Sequence, residues 1–538
     1  MLEIKGEIHD RYTLEFKIGY SCSSDKNDVS DFFMDSWMFI PDALCINSST
    51  YPKESFYRDV RILVRLITPE FTLGEIGDPD CLPLSRLSKW SRRMAEECAA
   101  QNGSKPERDD KASPKTGGSA MLGIPDFSFK DIAGNLSGRR HDTETGRKLS
   151  KTEKMYEHQI KMFCSIVRSA VRDEARSIGR IASADECRRR VRELAEKSGL
   201  ILKAYRHILV SSGLSGIDME PRKWFDLGDE YLCRIIDTNM FRLMEEIKQR
   251  KPSECADIIR PIEEYIGQTM KYEREHGYPL PGEAGDVSRN RNFVYRAGQL
   301  KKYIESDLYI LAHQRSNTFV LQQILFMIAA GLSMVFATVV SFSFQKTFGN
   351  FTMPLFIALV VSYMFKDRFK ELLRYWFATK LGSKLYDYKT KLAMGEEPIG
   401  WSKTGCDFVG ESKLPTEVRR LRGRVSALEA GNCALHESVL IFRQRLSLFG
   451  KKLGRLSHYP LHGVNEILRI NLREFLRRMD SSHVPVFSHD EEKGVHTVQA
   501  EKVYYIHFIM RFRYNGTESF RRFRVCLHRR GATSIEEW

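Results

Sequence analysis

The distribution of apolar residues divides the chain into segments of different character. Near the N-terminus, two runs alternate between apolar and polar positions, with apolar members at Leu14, Phe16, Ile18 and Tyr20 and at Val60, Ile62, Val64 and Leu66. A period of two residues is typical of strands that bury one face. We therefore predict a small β domain over residues 1–77 and a short helical stretch over 78–100.

The next segment has the composition of a linker. It begins QNGSKPERDDKASPKTGGSA, which is rich in Gly, Pro, Ser and charged residues. Such a stretch cannot bury enough apolar surface to offset the entropy lost on ordering. We predict a flexible linker over residues 101–149.

From residue 150 the apolar period becomes that of a helix. Ser150 with Glu153, and Ser183 with Glu186, have the spacing of a capping box, in which the two side chains satisfy each other's backbone donors. An apolar stripe follows at Tyr156, Ile160, Phe163, Val167 and Val171. This pattern predicts a cytosolic helical domain over residues 150–315.

The longest uncharged stretch lies between Arg315 and Lys346. Residues 324–344 alone would form a helix of roughly 30 Å, the thickness of a bilayer's hydrocarbon core. A second uncharged run at 347–365 follows after almost no loop. We predict a transmembrane hairpin with helices at 319–344 and 348–365. The second run is near the lower length limit, and a buried soluble hairpin is the alternative.

Basic residues flank this hairpin on both sides. They are Arg289, Arg291, Arg296, Lys301, Lys302 and Arg315 before it, and Lys366, Arg368, Lys370, Arg374, Lys380 and Lys384 after it. Only Lys346 lies between the two runs. The positive-inside rule then predicts a multi-pass protein of the cell inner membrane with both termini in the cytoplasm.

Four small residues recur at every fourth position of the first run, at Ala329, Ser333, Ala337 and Ser341. A ridge of small residues lets another helix approach closely. Ala358 and Ser362 offer a matching pair on the second run. We expect the ridge to pack against the hairpin's other arm, and association between copies of the chain is the alternative.

The chain after the second run is basic and amphipathic. Phe365, Phe369 and Trp376 keep one apolar stripe, while Lys366, Arg368, Lys370 and Arg374 lie on other faces. This pattern predicts a juxtamembrane helix over residues 366–396 whose cations contact anionic lipid headgroups. A stalk packed against cytosolic domains has the same pattern.

The C-terminal part, residues 400–538, mixes predicted strands with a short amphipathic helix at 466–479. Near its end, VYYIHFIMRFRY and TESFRRFRVCL flank Asn515-Gly516, the preferred pair for a two-residue type I′ turn. In that register Arg513 lies opposite Glu518 and one face is apolar. The other face collects His507, Arg511, Arg513, Arg522 and Arg524. We predict a cytosolic α+β domain that ends in this β-hairpin.

The arginine face has several interpretations. A solvated charged surface is the simplest, and anionic lipid headgroups or an acidic protein are candidate partners. Nucleic acid is less favoured because the aromatic residues occupy the opposite face and cannot serve as stacking platforms. The formal charge of +14 permits attraction to anions without requiring it.

Other compositional features narrow the class of protein. The eleven cysteines are scattered and form no C-x-x-C pair, which predicts reduced thiols rather than disulfides or a zinc site. The first residues, MLEIKGEIHDRYTLEF, do not resemble a cleavable signal peptide. Neither apolar run carries an ionisable residue of the kind that proton relays need.

No phosphate loop, dinucleotide fingerprint, nucleophile elbow, kinase motif or zinc-protease motif occurs in the sequence. We therefore expect no cofactor, metal or catalytic residue. The fold class that follows is a multi-domain α+β membrane protein. Its expected function is that of a membrane-anchored scaffold or regulator for an unidentified cytosolic protein. A homo-oligomeric pore and a membrane-bound enzyme whose site is assembled from distant residues are the alternatives.

Overall fold

The computed structural model describes residues 3–21, 29–102, 149–214, 220–283, 285–316, 319–349, 352–382, 386–394, 397–423, 437–457, 459, 461, 463–490 and 494–538. The linker predicted at 101–149 lies almost entirely outside these residues. The chain forms two compact units of mixed helix and sheet. Unit 1 contains Met1–Arg65, Leu311–His458 and His462–Trp538, and unit 2 contains Leu66–Ile310 and Tyr459–Leu461.

Unit 1 is built around two β-sheets. Its strands are β1 (Glu3–Asp10), β2 (Thr13–Ser21), β3 (Ser30–Pro41), β4 (Val60–Leu66), β5 (Leu311–Ser316), β6 (Tyr388–Met394), β7 (Glu397–Val409), β8 (Glu437–Leu448), β9 (Gly463–Asn471), β10 (His483–Asp490), β11 (Gly494–Glu501), β12 (Tyr504–Tyr514), β13 (Thr517–His528) and β14 (Gly531–Glu537). An antiparallel sheet has the order β14-β13-β12-β3-β8-β7-β6-β5, and a smaller sheet has the order β1-β2-β9-β4. Strands β10 and β11 pair separately.

The two larger sheets of unit 1 share an aromatic core. The Phe16 ring lies 5.2 Å from that of Phe508 and 5.3 Å from that of Phe523, measured between centroids. Tyr20 and Phe32 make a similar contact at 4.9 Å. The predicted N-terminal β structure is therefore confirmed. Its strands complete sheets formed by the C-terminal part of the chain, because β2 pairs with β9 and β3 lies between β8 and β12.

The β12–β13 hairpin has the register that its turn sequence indicates. Arg513 lies opposite Glu518, and Asn515 and Gly516 have φ angles of 49° and 77°. Positive φ at both central positions is what a type I′ turn requires. A further strand, β14, follows the hairpin and pairs with β13.

Two segments that read as helices contain strands instead. The helix predicted over 366–396 ends at Gly382, and Tyr388–Met394 pairs with two neighbouring strands. The helix predicted over 466–479 is strand β9 followed by the short helix Arg473–Arg477. Within β9, Val464, Leu468 and Ile470 alternate on the buried face. Sheet pairing with distant strands overrides local helix propensity at both sites.

The helices, in chain order, are α1 (Lys53–Asp59), α2 (Leu73–Ile76), α3 (Leu82–Asn102), α4 (Lys151–Gly179), α5 (Ala184–Ser211), α6 (Glu220–Arg250), α7 (Cys255–Glu275), α8 (Val287–Glu305), α9 (Phe319–Phe348), α10 (Met353–Gly382), α11 (Thr416–Gly423), α12 (Gly450–Ser457) and α13 (Arg473–Arg477). Unit 2 contains α2 to α8. Ser150 and Glu153 form a complete capping box at the start of α4, and Ser183 accepts a hydrogen bond from the Glu186 backbone.

The core of unit 2 follows the predicted apolar stripe of α4. Tyr156, Ile160, Phe163, Val167 and Val171 are fully buried. The rings of Phe163, Tyr205 and Phe225 stack in series, with centroids 5.5 and 4.1 Å apart. The Tyr205 hydroxyl also donates a hydrogen bond to the Phe225 carbonyl, so Tyr205 is held both by ring packing and by its polar group.

Candidate functional site

The most distinctive surface of unit 1 is the apolar hairpin, formed by α9 and α10. Among the residues that the structure describes, one helical segment, Gln323–Thr347 in α9, is long and apolar enough to cross a membrane, and little of it is buried. The prediction of a second spanning helix is not confirmed. In α10 the uncharged part runs only from Met353 to Phe365 and is followed at once by Lys366, Asp367 and Arg368.

The two helices of the hairpin run antiparallel, and three contacts set their relative level. At the tip, Ser341 of α9 and Leu359 of α10 line one shallow groove. Further down, the rings of Phe336 and Phe369 lie 5.6 Å apart. At the root, the guanidinium of Arg374 lies 5.3 Å from the centre of the Phe326 ring.

These contacts place charges of α10 beside apolar residues of α9. Lys366 lies one helical turn closer to the tip than Phe369, the partner of Phe336. It is therefore level with the middle of the Gln323–Thr347 segment. The two arms of the hairpin thus differ in the length of their uncharged surface, which limits how deeply both can enter a bilayer.

The predicted small-residue ridge lies on the least exposed side of α9. Ala329 is fully buried and Ser333 is 2% exposed, while Ala337 and Ser341 are half-buried. On α10, Ser362 is buried and Ala358 is half-buried. Helix α10 is the element packed against α9, so the burial of Ala329 and Ser333 favours packing of the ridge against the hairpin's own second arm. That packing stays a prediction.

The charged half of α10 remains open to solvent. Arg368 is exposed, and Lys366 and Lys370 are half-buried. The Lys366 ammonium lies 3.9 Å from the centre of the Tyr363 ring, and Arg374 forms an exposed ion pair with Glu371 at 3.2 Å. The predicted contact of these cations with anionic lipid stays a prediction.

The arginines of the β12–β13 hairpin are matched by carboxylates. Arg511 and Arg513 both donate to the same Oδ2 atom of Asp35, at 2.6 and 3.2 Å. Arg511 also lies 3.5 Å from Glu518, and Arg524 pairs with Glu536. Arg522 is buried, with its guanidinium 5.2 Å from the centre of the Trp538 ring. The positive charge of this face is largely compensated within the chain.

Part of the same face is also covered by protein. Ile509 is fully buried in a cluster that includes Trp37, Leu414 and Val418, so α11 packs over this region of the sheet. His507 is 1% exposed. Burial, together with the charges of Arg422, Arg522 and Arg524, lowers the pKa of His507 to about 3. Arg511, Arg513 and Arg524 are therefore engaged in ion pairs within the chain. The candidate contact of this face with lipid or an acidic protein stays a prediction.

Unit 2 contains a buried ionic network that sequence patterns did not indicate. Asp229 accepts hydrogen bonds from Arg206 at 2.8 Å and from the Tyr278 hydroxyl at 3.0 Å. The neighbouring Glu230 holds Arg296 at 2.6 Å. Because these charged residues lie on separate helices, their spacing in the sequence does not indicate that they form pairs. Their pairing neutralises the charges that the bundle encloses.

Two further carboxyls lie in the same bundle, on α6 and α7. Asp237 and Glu273 are 7% and 5% exposed. Burial raises the pKa of Asp237 to about 8, and the negative charge of Glu273 adds to the effect. Burial also raises the pKa of Glu273 to about 7, against the opposing influence of Arg234. These two carboxyls change charge near neutral pH.

Within the described part of the chain, no three His, Cys, Asp or Glu side chains are arranged to hold a metal ion. No family model, curated protein or solved structure matches this chain. The surfaces of the molecule itself are therefore the guide to its function. Among these surfaces, the apolar hairpin exposes large hydrophobic side chains that are unfavourable in water.

Proposed function

We propose that this protein is a membrane-anchored scaffold or regulator, held at a bilayer by the apolar hairpin and acting on a cytosolic partner. The exposure of the hairpin carries the proposal. Phe342, Met353 and Met364 have 66%, 73% and 66% of their surface exposed, and similar side chains surround them. A contiguous apolar surface of this kind is typical of a membrane or protein interaction site. A bilayer covers both helices at once.

The position of Lys366, Asp367 and Arg368 along the hairpin supports partial insertion of the hairpin into the bilayer. If all of Gln323–Thr347 crossed the bilayer, then Lys366, Asp367 and Arg368 would lie near its centre. Each charge there costs about 2.5–3.5 kcal/mol. The uncharged part of α10 is roughly 20 Å long, shorter than the roughly 30 Å hydrocarbon core. We therefore place residues 335–349 and 352–365 in the bilayer, with Lys366 at the near headgroups. Lys346 lies at the tip, where its long side chain can extend toward the opposite headgroups.

Orientation follows from the sheet and from the flanking charges. Helix α9 leaves from β5 and α10 returns to β6, and these two strands are neighbours. Both ends of the hairpin thus emerge on one side of the membrane. Basic residues before α9 and after Phe365 favour the cytoplasmic side of the inner membrane, with both termini in the cytoplasm.

The part of α9 nearest to β5, which we call the root of the hairpin, favours a scaffold that forms homo-oligomers. With the tip inserted, Ile324, Met327 and Leu332 stay outside the hydrocarbon although they are 42%, 65% and 47% exposed. A second copy of the hairpin would cover them. A pore built on the small-residue ridge is less favoured, since Ala329 and Ser333 are already buried within one chain.

Vesicle flotation of the intact protein tests the proposal. The double variant Phe342→Lys/Met353→Lys places two charges in the inserted region. The control Val210→Lys/Val294→Lys makes the same change at apolar residues of unit 2 that are 67% and 68% exposed. We expect the wild type and the control to float with vesicles and the hairpin variant to remain in the lower fraction. Equal flotation of all three proteins would refute the proposal.

A further inference from the structure

Four exposed arginines meet at one end of unit 1, although they come from three distant parts of the sequence. The β1–β2 turn supplies Arg11, the segment after β9 supplies Arg473, and the β13–β14 turn supplies Arg529 and Arg530. They line two open depressions of about 480 and 360 Å³ that share Arg11 and Tyr12. Ser481 and Ser482 complete the larger depression.

Backbone contacts fix these turns against one another. The Ala532 amide donates to the Arg11 carbonyl at 3.0 Å, and the Leu472 amide donates to the Tyr12 carbonyl at 2.7 Å. Gly531 has φ of +151°, and a Cβ there would lie 2.6 Å from the Arg11 carbonyl oxygen. Glycine is therefore required for this close approach. The arginines project from a preorganised rim.

The charge of this rim is not compensated as it is on the β12–β13 hairpin. Within the described residues, none of the four arginines forms an ion pair with a carboxylate. The nearby Asp10 accepts a hydrogen bond from the Tyr12 amide. Asp480 pairs with Lys502, and Arg529 acts on it only at longer range. Arg473 lies over the Tyr12 ring, 5.1 Å from its centre.

We propose that this rim, which we call the arginine rim, binds a small phosphate-bearing anion. Arginine presents a planar fork of donors that matches phosphate oxygens, and the serine hydroxyls add further donors. The rim lies at the β14 edge of the eight-stranded sheet, whereas the apolar hairpin is attached to β5 and β6 at the opposite edge. Free phosphorylated molecules and lipid headgroups share this phosphate chemistry, and the probes below distinguish the two sources.

Calorimetric titration of the intact protein in detergent tests the inference, with inorganic phosphate, pyrophosphate and glycerophosphate as probes. The variant is Arg529→Gln/Arg530→Gln. The control Arg61→Gln/Arg419→Gln removes the same charge from exposed arginines elsewhere in unit 1. We expect one or more probes to bind the wild type and the control, and to bind the variant at least tenfold more weakly. Thermal unfolding checks that all three proteins are folded.

The remaining outcomes are distinguishable. Binding of glycerophosphate alone would assign the same phosphate chemistry to a lipid headgroup. Equal weakening in the variant and the control would show a general charge effect and overturn the inference. So would the failure of all three probes to bind the wild type at millimolar concentration. None of these results depends on whether the apolar hairpin enters a membrane.

Discussion

Phe369 of α10 packs against Phe336 of α9, with ring centroids 5.6 Å apart. This contact sets the charged residues after Phe365 beside the middle of the apolar segment of α9. The sequence alone shows two apolar runs, but it does not show how the runs align. Their alignment determines how deeply the hairpin can enter a bilayer without carrying Lys366, Asp367 and Arg368 into the hydrocarbon.

Removing the cations that follow Phe365 should weaken binding to anionic membranes. In the proposed depth, Lys366, Arg368 and Lys370 lie at the headgroups, where each contributes about 1 kcal/mol. We expect the triple glutamine variant to bind vesicles containing anionic lipid at least tenfold more weakly, with little change for neutral vesicles. Co-sedimentation at low ionic strength measures the effect.

The matched control for that experiment is Arg61→Gln/Arg419→Gln/Lys451→Gln, three exposed cations of unit 1 outside the hairpin. Equal losses in the two triple variants would assign the effect to net charge. Unchanged binding of the hairpin variant to anionic vesicles would place its cations away from the headgroups.

Enlarging the small-residue ridge should separate the hairpin's arms. Ser333 is 2% exposed and packed toward α10, so Ser333→Leu would force the helices apart at a cost of about 1–3 kcal/mol. Met334→Leu changes an exposed neighbour of the same helix and should have little effect. Limited proteolysis of α10 in detergent measures the difference. Equal cleavage of the two variants would show that the ridge is not a packing surface.

The stability of unit 2 should fall as pH rises. In the folded protein, Asp237 keeps its proton up to a pKa of about 8, whereas its ordinary value is 3.8. The unfolded chain therefore loses this proton first, and the free energy of unfolding decreases between about pH 4 and pH 8. Asp237→Asn should reduce this slope to the part contributed by Glu273, whose pKa is also raised, and should raise stability at pH 8 by about 1–3 kcal/mol.

Thermal unfolding followed by circular dichroism at pH 5 and pH 8 measures this dependence. Glu245→Gln on the same helix is the control, because the Glu245 side chain is 64% exposed. We expect it to keep the pH dependence of the wild type. A wild-type protein whose unit 2 is equally stable at both pH values would contradict the assignment of a neutral buried Asp237.

Removing Asp35 should destabilise the large sheet of unit 1. Asp35 is 7% exposed and accepts from both Arg511 and Arg513, so Asp35→Ala leaves two cations without their shared partner. Because both arginines are partly exposed, a loss of about 1–3 kcal/mol is expected, as for polar groups left without a partner. Asp31 lies on the same strand as Asp35 and is the more exposed partner of Arg445. Asp31→Ala should therefore lower the free energy of unfolding by less. Chemical denaturation compares the two, and equal losses would refute the shared role of Asp35.

Local features of the fold were predictable from sequence, and non-local ones were not. Asn515-Gly516 specifies a turn within a few residues, and Ser150 with Glu153 specifies a helix start. The insertion of β3 between β8 and β12 joins residues more than 400 positions apart, such as Asp35 and Arg511. For that reason, the sequence does not show that Asp35 and Glu536 pair with three arginines of this face. Glu466, fully buried on β9, likewise read as one polar position of a helix.

Membrane anchoring by the hairpin is tested by measuring how deeply each part of the hairpin enters a bilayer. An environment-sensitive fluorescent amino acid is placed at Val339, Phe356 or Leu372, each an exposed position of the hairpin, and its emission is recorded with and without vesicles. We expect a strong blue shift at Val339 and Phe356, which lie in the proposed inserted region, and little change at Leu372, which lies beyond Lys366. Unchanged emission at all three positions would contradict membrane insertion, and an equal blue shift at all three would contradict partial insertion.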